Sequence, residues 1–212
     1  QYFLTIYAHN TYGSTQQSFT LTVNEKAEVR SQTWGPLSKE AGSELTLYVT
    51  PRGYPAPTAQ WQLSTDGGES WADIAGATSS TYTVDLVTTD MNHYRFRCTL
   101  SNAWASDTSE PVELLVYVPA GVIAQPTAAE VVVGSPATFT VQAKGEPAPT
   151  FQWQLSTSGG RKWADIPGAT SDTYETPATT FAMDGYLYRV HVTNEWGDEW
   201  SAPAALAVRN AD

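Results

Sequence analysis

The sequence is poor in the residues that cross-link small domains or bind polyanions. Its 212 residues include a single cysteine, Cys98, so the chain can form neither an intrachain disulfide nor a zinc site built from cysteines. Basic residues number 11 against 22 acidic ones, which gives a formal net charge of −11. Because a nucleic-acid surface needs clustered lysine and arginine to displace counterions from phosphates, we expect no nucleic-acid partner.

Long apolar runs and helical periodicity are missing as well. No stretch approaches the roughly 18 apolar residues of a membrane-spanning helix, so we predict no membrane insertion in this segment. The opening QYFLTIYAHN lacks a basic start and an unbroken apolar run, and it alternates like a strand rather than resembling a signal peptide. No stretch keeps a period of 3.6 residues, which leaves an all-β fold as the prediction.

The chain does contain an internal repeat of domain length. GYPAPTAQWQLSTDGGESWADIAGATSSTY begins at Gly53 and returns as GEPAPTFQWQLSTSGGRKWADIPGATSDTY at Gly145, an offset of 92 residues. This spacing indicates a repeated domain rather than a solenoid, whose repeats span about 20–50 residues.

Each copy alternates apolar and polar residues, as strands with one buried face do. Leu45, Leu47 and Val49 follow this period of two, and Trp61 lies between glutamines, so its side chain should point inward. About seven such short strands in roughly 90 residues are typical of a β-sandwich.

The glycine- and proline-containing segments before the central tryptophans carry a family resemblance. GYPAP before Trp61 and GEPAP before Trp153 resemble the B–C region of immunoglobulin I-set domains. In that family, cysteines on strands B and F form a disulfide, so the resemblance implies a sandwich in which apolar packing replaces it. The stretch WQLSTDGGESWADIAGATSSTY also resembles the tandem immunoglobulin-like modules of bacterial cell-surface proteins. The residues at the two cysteine positions are Val49 and Cys98 in one copy and Val141 and Val190 in the other.

The repeat predicts two tandem β-sandwiches at residues 26–118 and 119–212, which the resemblance implies are immunoglobulin-like. Residues 1–25 align with the F and G strands of the later copies, with Asn10 at the position of Asn102. We therefore predict that residues 1–25 are the C-terminal F–G hairpin of a truncated preceding domain. Because two strands alone are marginally stable in water, we expect this hairpin to pack on a partner.

The motif STDGGESW at Ser64 resembles the Asp-box of sialidases and related propellers. A propeller would repeat it about once per blade, whereas here it recurs once per 92 residues and Ser158 replaces Asp66. The constant residues are the glycines and Trp71, which suit a tight turn. With no Gly-x-Ser-x-Gly, His-Glu-x-x-His or phosphate-loop motif, we predict no enzymatic activity and no cofactor.

Metal ligation has weak support in the sequence. The histidines His9, His93 and His191 show no metal-ligand spacing, and we interpret them as solvated. A carboxylate group in NEWGDEW could bind Ca²⁺, but the matching loop NAWASD keeps a single carboxylate, which favours a solvated loop. We therefore predict no metal site.

Aromatic residues at the F–G turns are the candidate ligand-binding residues. Trp104, Trp196 and Trp200 lie in or beside these turns, and Tyr12 takes the place of Trp104 in the leading hairpin. Exposed tryptophan can stack on a sugar ring or anchor a protein contact. The alternative is that these rings cover the sandwich end or a domain junction.

The resemblance implies an extracellular, cell-surface location and a non-catalytic role as a structural spacer in a large bacterial surface protein. The expected partners are neighbouring immunoglobulin-like domains of the same polypeptide. Two alternatives stay open: an adhesive module that binds glycan or host protein through the F–G aromatics, and an accessory domain of a secreted carbohydrate-active enzyme.

Overall fold

The computed structural model describes residues 2–211, which are built almost entirely of β-strands. Two single-turn 3₁₀ helices, Thr89–Met91 and Phe181–Met183, complete the regular structure of that range. The all-β fold class predicted from the sequence is confirmed. The chain divides into two compact units between Leu115 and Val116. Within the described range, no helix is long and apolar enough to cross a membrane.

The first unit begins with an antiparallel hairpin that forms its own two-stranded sheet. Strand β1 (Tyr2–Asn10) pairs with β2 (Gly13–Leu21), and the two-residue turn is closed by the pair Asn10 and Gly13. The sequence prediction for residues 1–25 covers this hairpin; its side chains from Phe3 onward are solvent-exposed.

The rest of the first unit is a two-sheet sandwich. One sheet has the order β3-β5-β8, and the other contains β7, β6, β9 and the first part of β11, with β10 also on β9 and β4 on β11. The strands are β3 (Glu25–Gln32), β4 (Leu37–Glu40), β5 (Leu45–Tyr54), β6 (Thr58–Ser64), β7 (Ala72–Asp73), β8 (Thr81–Val84), β9 (Arg95–Ser101), β10 (Ser106–Thr108) and β11 (Val112–Ala124).

The core of this sandwich is centred on Trp61, as the alternating pattern predicts. Its ring is fully buried on β6 and lies 6.1 Å from Tyr82 on β8, which in turn lies 6.1 Å from Phe96 on β9. The indole nitrogen donates a hydrogen bond of 2.9 Å to the Ser79 carbonyl oxygen, so the buried polar group is satisfied. Buried aliphatic residues surround it, namely Leu45, Leu47, Val49, Leu100 and Leu114.

The second unit contains the later part of β11 and the equivalent strands of the second copy. β14 pairs with β11, β12 runs parallel to β20, β13 pairs with β17, and β18 pairs with β15, β19 and β20. Their bounds are β12 (Ala129–Val132), β13 (Thr138–Thr140), β14 (Gln142–Glu146), β15 (Thr150–Ser156), β16 (Ala164–Asp165), β17 (Thr173–Glu175), β18 (Leu187–Asn194), β19 (Gly197–Trp200) and β20 (Ala204–Arg209).

The second core repeats the first. Trp153 is fully buried, and its indole nitrogen donates to the Ser171 carbonyl oxygen at 2.9 Å. Phe139 and Tyr188 stack nearby with ring centroids 4.6 Å apart. Apolar packing of this kind is the main stabilising term in a small sandwich.

Apolar residues occupy the position of the family's disulfide in both units. Val49 and the free thiol Cys98 are buried in the first core, and Val141 and Val190 are buried in the second. The prediction of a disulfide-free immunoglobulin-like sandwich is thus confirmed. Burial raises the pKa of Cys98 to about 11, so this thiol stays protonated at neutral pH.

The stretch that resembles an Asp-box is a self-contained turn. Gly68 N–H donates to Ser64 Oγ at 2.8 Å, Ser70 N–H donates to Asp66 Oδ1 at 2.9 Å, and Trp71 Nε1 donates to the Gly68 carbonyl oxygen at 3.1 Å. In the second unit the same turn uses Ser158, whose Oγ accepts from the Lys162 N–H at 2.9 Å. These local bonds explain why a turn residue can be Asp or Ser.

Candidate functional site

Each F–G turn is organised by one asparagine. In the first unit, Asn102 Oδ1 accepts hydrogen bonds from the N–H groups of Trp104 (3.0 Å) and Ala105 (3.2 Å). Its Nδ2 donates to the carbonyl oxygens of Glu25 (2.8 Å) and Pro55 (3.0 Å). One side chain therefore closes the turn and ties it to the start of β3 and to the loop after β5.

The same arrangement recurs in the second unit and in the hairpin. Asn194 Oδ1 accepts from Trp196 N–H at 3.0 Å, and its Nδ2 donates to the Val118 and Pro147 carbonyl oxygens, each at 2.9 Å. At the hairpin tip, Asn10 Oδ1 accepts from Tyr12 N–H at 2.8 Å. The sequence aligned these asparagines but did not reveal their role in placing an aromatic residue two positions later.

Trp104 is the most accessible of the three candidate tryptophans. Its side chain is 56% exposed, and none of the ring stacking found within the described part of the chain involves it. A free indole face can receive a sugar ring or a protein side chain.

Trp196 holds the equivalent position in the second unit, but its ring is partly covered. It stacks on Tyr117 with ring centroids 4.0 Å apart and an interplanar angle of 9°. Tyr117 aligns with Glu25 across the 92-residue offset, so the first unit has no ring at this position. For Trp196, the structure therefore favours the capping interpretation over a free binding face.

Trp200 lies on β19 and is part of a ladder of planar groups on the sheet surface. His191 stacks on Trp200 at 4.2 Å, and the Arg189 guanidinium lies 4.1 Å from the Trp200 ring and 4.2 Å from that of Trp163. His191 Nε2 in turn lies 2.8 Å from Asp198 Oδ2. We call these five residues the Trp163–Asp198 ladder; cation–π and stacking contacts within it occupy ring faces that a ligand would need.

The first unit has a shorter version of this ladder. Arg97 lies 4.1 Å from the Trp71 ring, but Thr108 takes the position of Trp200. Sequence reasoning missed both arginine–tryptophan pairs, although the signal was present: Arg97 and Arg189 share the 92-residue offset with Trp71 and Trp163. The contact becomes visible only from which strands pair across the sheet, and the repeat does not show that.

Two of the three carboxylates of NEWGDEW make protein contacts of their own. Asp198 pairs with His191, and Glu199 Oε2 accepts a 2.8 Å hydrogen bond from the Val122 N–H. No group of three or more His, Cys, Asp or Glu residues in the described range has the arrangement of a metal site.

Glu113 on β11 is at the centre of another charged group, with Arg95 on β9 and His93 in the turn before β9. His93 Nδ1 lies 2.9 Å from Glu113 Oε1, and Arg95 lies 3.4 Å from Glu113 Oε2. The hydrogen bond from His93, together with the charge of Arg95, holds the pKa of Glu113 below its ordinary value despite some desolvation. A surface pair of this kind does not by itself provide a catalytic site.

The three predicted tryptophans thus have three different environments. Trp104 is exposed in the first unit; in the second unit, Trp196 packs on Tyr117 and Trp200 packs in the ladder. In chemical terms, the first is open to a ligand, while the other two are engaged in contacts that stabilise their own unit.

Comparison with known proteins identifies a family and a fold. The model of a family described as "Domain of unknown function (DUF8696)" matches residues 5–118 and 120–210. Among curated proteins, Endoglucanase C of Cellulomonas fimi is 39% identical over 169 residues. That match covers 79% of this chain and 15% of Endoglucanase C, so the chain spans a small part of this relative.

Solved structures of tandem immunoglobulin domains share the fold. A crystal structure of the N-terminal four Ig domains of Dscam1 isoform 6.9 matches with a TM-score of 0.65 and 18% identity, over 92% of this chain and 51% of that one. A titin I-band fragment matches with a TM-score of 0.66 and 16% identity, over 97% and 73% of the two chains. The immunoglobulin-like resemblance predicted from the sequence is confirmed at the level of fold.

Proposed function

The chain belongs to the family described as "Domain of unknown function (DUF8696)", and we propose that it is a non-catalytic accessory segment of a larger extracellular carbohydrate-active protein. In this role, the immunoglobulin-like units act as a spacer between other modules of the polypeptide. The proposal keeps the spacer role expected from the sequence and places it in the setting of the accessory-domain alternative.

The observation that carries the proposal is the match to Endoglucanase C. At 39% identity the two proteins share this segment, yet the segment is 15% of the endoglucanase. Most of that relative therefore lies outside the shared part. The segment consists of a module repeated at an offset of 92 residues, and its relative carries the name of an enzyme. Both features are typical of an accessory region.

The arrangement of ionisable groups supports a non-catalytic role. His93, in the turn before β9, pairs with Glu113, and His191 on β18 pairs with Asp198. The carboxylate of Asp66 is bound by its own turn. Catalysis needs an acid, base or nucleophile poised against a substrate in a sheltered site. A recess of about 380 Å³ at the hairpin tip is open to solvent and is lined by Ala8, His9, Asn10, Tyr12 and the first residues of β2.

The formal charge of −11 fits a spacer that must stay apart from its neighbours in solution. A strongly acidic surface discourages self-association. An extracellular setting is part of the same proposal and rests on the similarity to an endoglucanase.

An exchange experiment in Endoglucanase C tests the proposal. The matched segment is either deleted or replaced by residues 27–210 of this chain, and hydrolysis of soluble and insoluble glucan is measured for all three proteins. We expect the exchanged protein to match the original on both substrates, while the deletion loses activity on insoluble glucan. An exchanged protein that behaves like the deletion, or a deletion that behaves like the original, would contradict a spacer role for the segment.

A second candidate function is adhesion to glycan or host protein. The observation that favours it is Trp104, whose indole is exposed and outside the stacking contacts that cover Trp196 and Trp200. In this candidate the first unit, rather than the ladder of the second, holds the binding residue.

A further inference from the structure

The hairpin β1–β2 presents an apolar face to solvent. Leu4, Ile6, Phe19 and Leu21 are 52%, 60%, 43% and 50% exposed. Leu4 lies directly opposite Phe19 in the antiparallel register, so these side chains share one face of the two-stranded sheet. Isolated two-stranded hairpins are marginally stable in water, and a cluster of this kind indicates a surface that is covered in use.

The register of the hairpin is the register of the F–G hairpin in the second unit. Asn10 pairs with Gly13 as Asn194 pairs with Gly197, and both asparagines accept a hydrogen bond from the aromatic residue two positions later. Three further cross-strand pairs correspond across an offset of 184 residues, which is twice the repeat length. They are His9–Ser14 with Thr193–Asp198, Ala8–Thr15 with Val192–Glu199, and Tyr7–Gln16 with His191–Trp200.

The residues equivalent to the exposed apolar face of β1 are buried in both complete units. Ile6 corresponds to Cys98 and Val190, each fully buried. In those units, the strand equivalent to β1 is strand F, which is β9 or β18. Its second edge pairs with strand C, which is β6 or β15, as Val190 pairs with Trp153. A strand-F residue of the repeat therefore has two partners that Ile6 lacks here: a paired strand at the edge and a tryptophan-containing core against the face. Leu4 and Ala8 follow the same rule, with counterparts Phe96 and Tyr188, and Leu100 and Val192.

The G strand differs in one respect. In the second unit, β19 and β20 are separated by residues 201–203, whereas β2 runs without interruption to Leu21. The uninterrupted strand brings Phe19 and Leu21 onto the same face as Leu4 and Ile6, which enlarges the apolar surface.

We propose that this face and the open edge of β1 form a docking surface for a further unit of the same repeat, through its strands A–E, which are the equivalents of β3–β8 in the first unit. Docking would add strand C to the edge of β1 by β-augmentation and would bury Leu4, Ile6, Phe19 and Leu21 in a third sandwich core. A second copy of this chain is the less suitable occupant, because its own hairpin offers no strand C and no core tryptophan.

A fusion that supplies the missing strands tests this proposal. A copy of residues 27–92, which carries most of β3 and all of β4–β8, is placed directly before Gln1 of the full chain. Residue 93 of the repeat corresponds to Gln1, so the join keeps the repeat spacing. Amide hydrogen exchange is then compared between the fusion and the chain of 212 residues. We expect backbone amides of β1 to exchange at least tenfold more slowly in the fusion, since pairing and burial protect amides from solvent.

Two substitutions in the fusion separate docking from a general change in stability. Ile6→Asp puts a charge at a position that is fully buried in the complete units and should abolish the protection of β1. Thr5→Asp is the matched control, because Thr5 corresponds to Arg97 and Arg189 on the outer face and should leave the protection intact. Protection that is lost in Ile6→Asp alone supports the proposal.

Three outcomes would overturn it. One is a fusion whose β1 amides exchange as fast as those of the chain alone. Another is protection that both substitutions leave intact or both abolish. The third is a concentration-dependent dimer of the chain alone, seen by sedimentation and lost in Ile6→Asp, which would assign the face to a second copy.

Discussion

At the scale of single residues, one tryptophan accounts for much of each core. Trp61 and Trp153 are fully buried, and each indole N–H has a carbonyl partner at 2.9 Å. A buried tryptophan removes about 200 Å² from water, worth roughly 5 kcal/mol at about 25 cal/mol per Å². This is comparable to the roughly 2–5 kcal/mol that a native disulfide gives a small domain, and it explains how the units do without one.

Replacing the central tryptophan should destabilise its own unit. We expect Trp61→Ala to lower the free energy of unfolding by about 3–5 kcal/mol, through lost burial and the cavity it leaves. Urea titration of the variant and of Trp153→Ala measures this, and each variant keeps the other unit as an internal control. A loss below about 1 kcal/mol would contradict the central place of these rings in the cores.

The Glu113 carboxylate should make stability depend on acid. Its folded pKa lies below the ordinary value of 4.5, chiefly because His93 donates a hydrogen bond to it and also because Arg95 is near. A group with a lowered folded pKa stabilises the protein above its unfolded pKa, and this contribution is lost as pH falls below about 4.5.

The variant Glu113→Gln should remove this contribution to the pH dependence. We expect its thermal midpoint to fall less between about pH 5 and pH 3 than that of the original protein, measured by calorimetry of both at each pH. Parallel curves for the two proteins would show that the pair does not stabilise the fold.

At the scale of elements, the F–G turn is specified by a single asparagine side chain. Asn194 closes the turn through its Oδ1 and joins it, through its Nδ2, to the carbonyl oxygens of Val118 and Pro147. Gly145 lies against this asparagine: its φ is +158°, and an added Cβ would lie 3.1 Å from Asn194 Nδ2. A side chain at the glycine of GEPAP would therefore press on the asparagine that organises the turn.

Changing the asparagine to aspartate should separate its two roles. Asn194→Asp keeps an acceptor for the Trp196 N–H but turns the donor to Val118 and Pro147 into a second acceptor that faces carbonyl oxygens. We expect a loss of about 1–3 kcal/mol in the free energy of unfolding, measured by urea titration. Glu195→Gln, in the same turn, is the control and should change stability by less than about 0.5 kcal/mol. Equal effects of the two changes would argue against the bonding described.

The sequence predicted the elements well where their signal was local or repeated. Alternation placed Leu45, Leu47 and Val49 in the core, and the repeat located both tryptophans and both cysteine-equivalent positions. Contacts between distant strands gave no such signal. The stacking of Trp196 on Tyr117 and the Trp163–Asp198 ladder depend on which residues lie opposite each other, and a repeat shows which positions correspond but not what they touch.

At the scale of the whole molecule, the two units share one fold and core but differ at several surface positions. Both units keep the core, the glycine turn, and the asparagine and tryptophan of the F–G turn, while other surface positions differ: Thr108 replaces Trp200, and Glu25 replaces Tyr117. Repeated interiors with different surface residues suit a spacer, because a shared ligand would select the same surface residues in both units. The tryptophan kept at both F–G turns is the exception, and its surroundings differ, since Trp196 stacks on Tyr117 and Trp104 has no such ring beside it. The domain limits 26–118 and 119–212 stay a prediction from the repeat.

The central claim is that this segment separates other modules and does not itself bind a ligand. The most direct test is an array of glycans, including β-glucans, together with matrix proteins, probed with residues 1–212 and with the variants Trp104→Ala and Trp34→Ala. The account predicts signals no higher than those of an unrelated folded protein. Saturable binding that Trp104→Ala abolishes and Trp34→Ala preserves would contradict it and would assign an adhesive function to the first F–G turn.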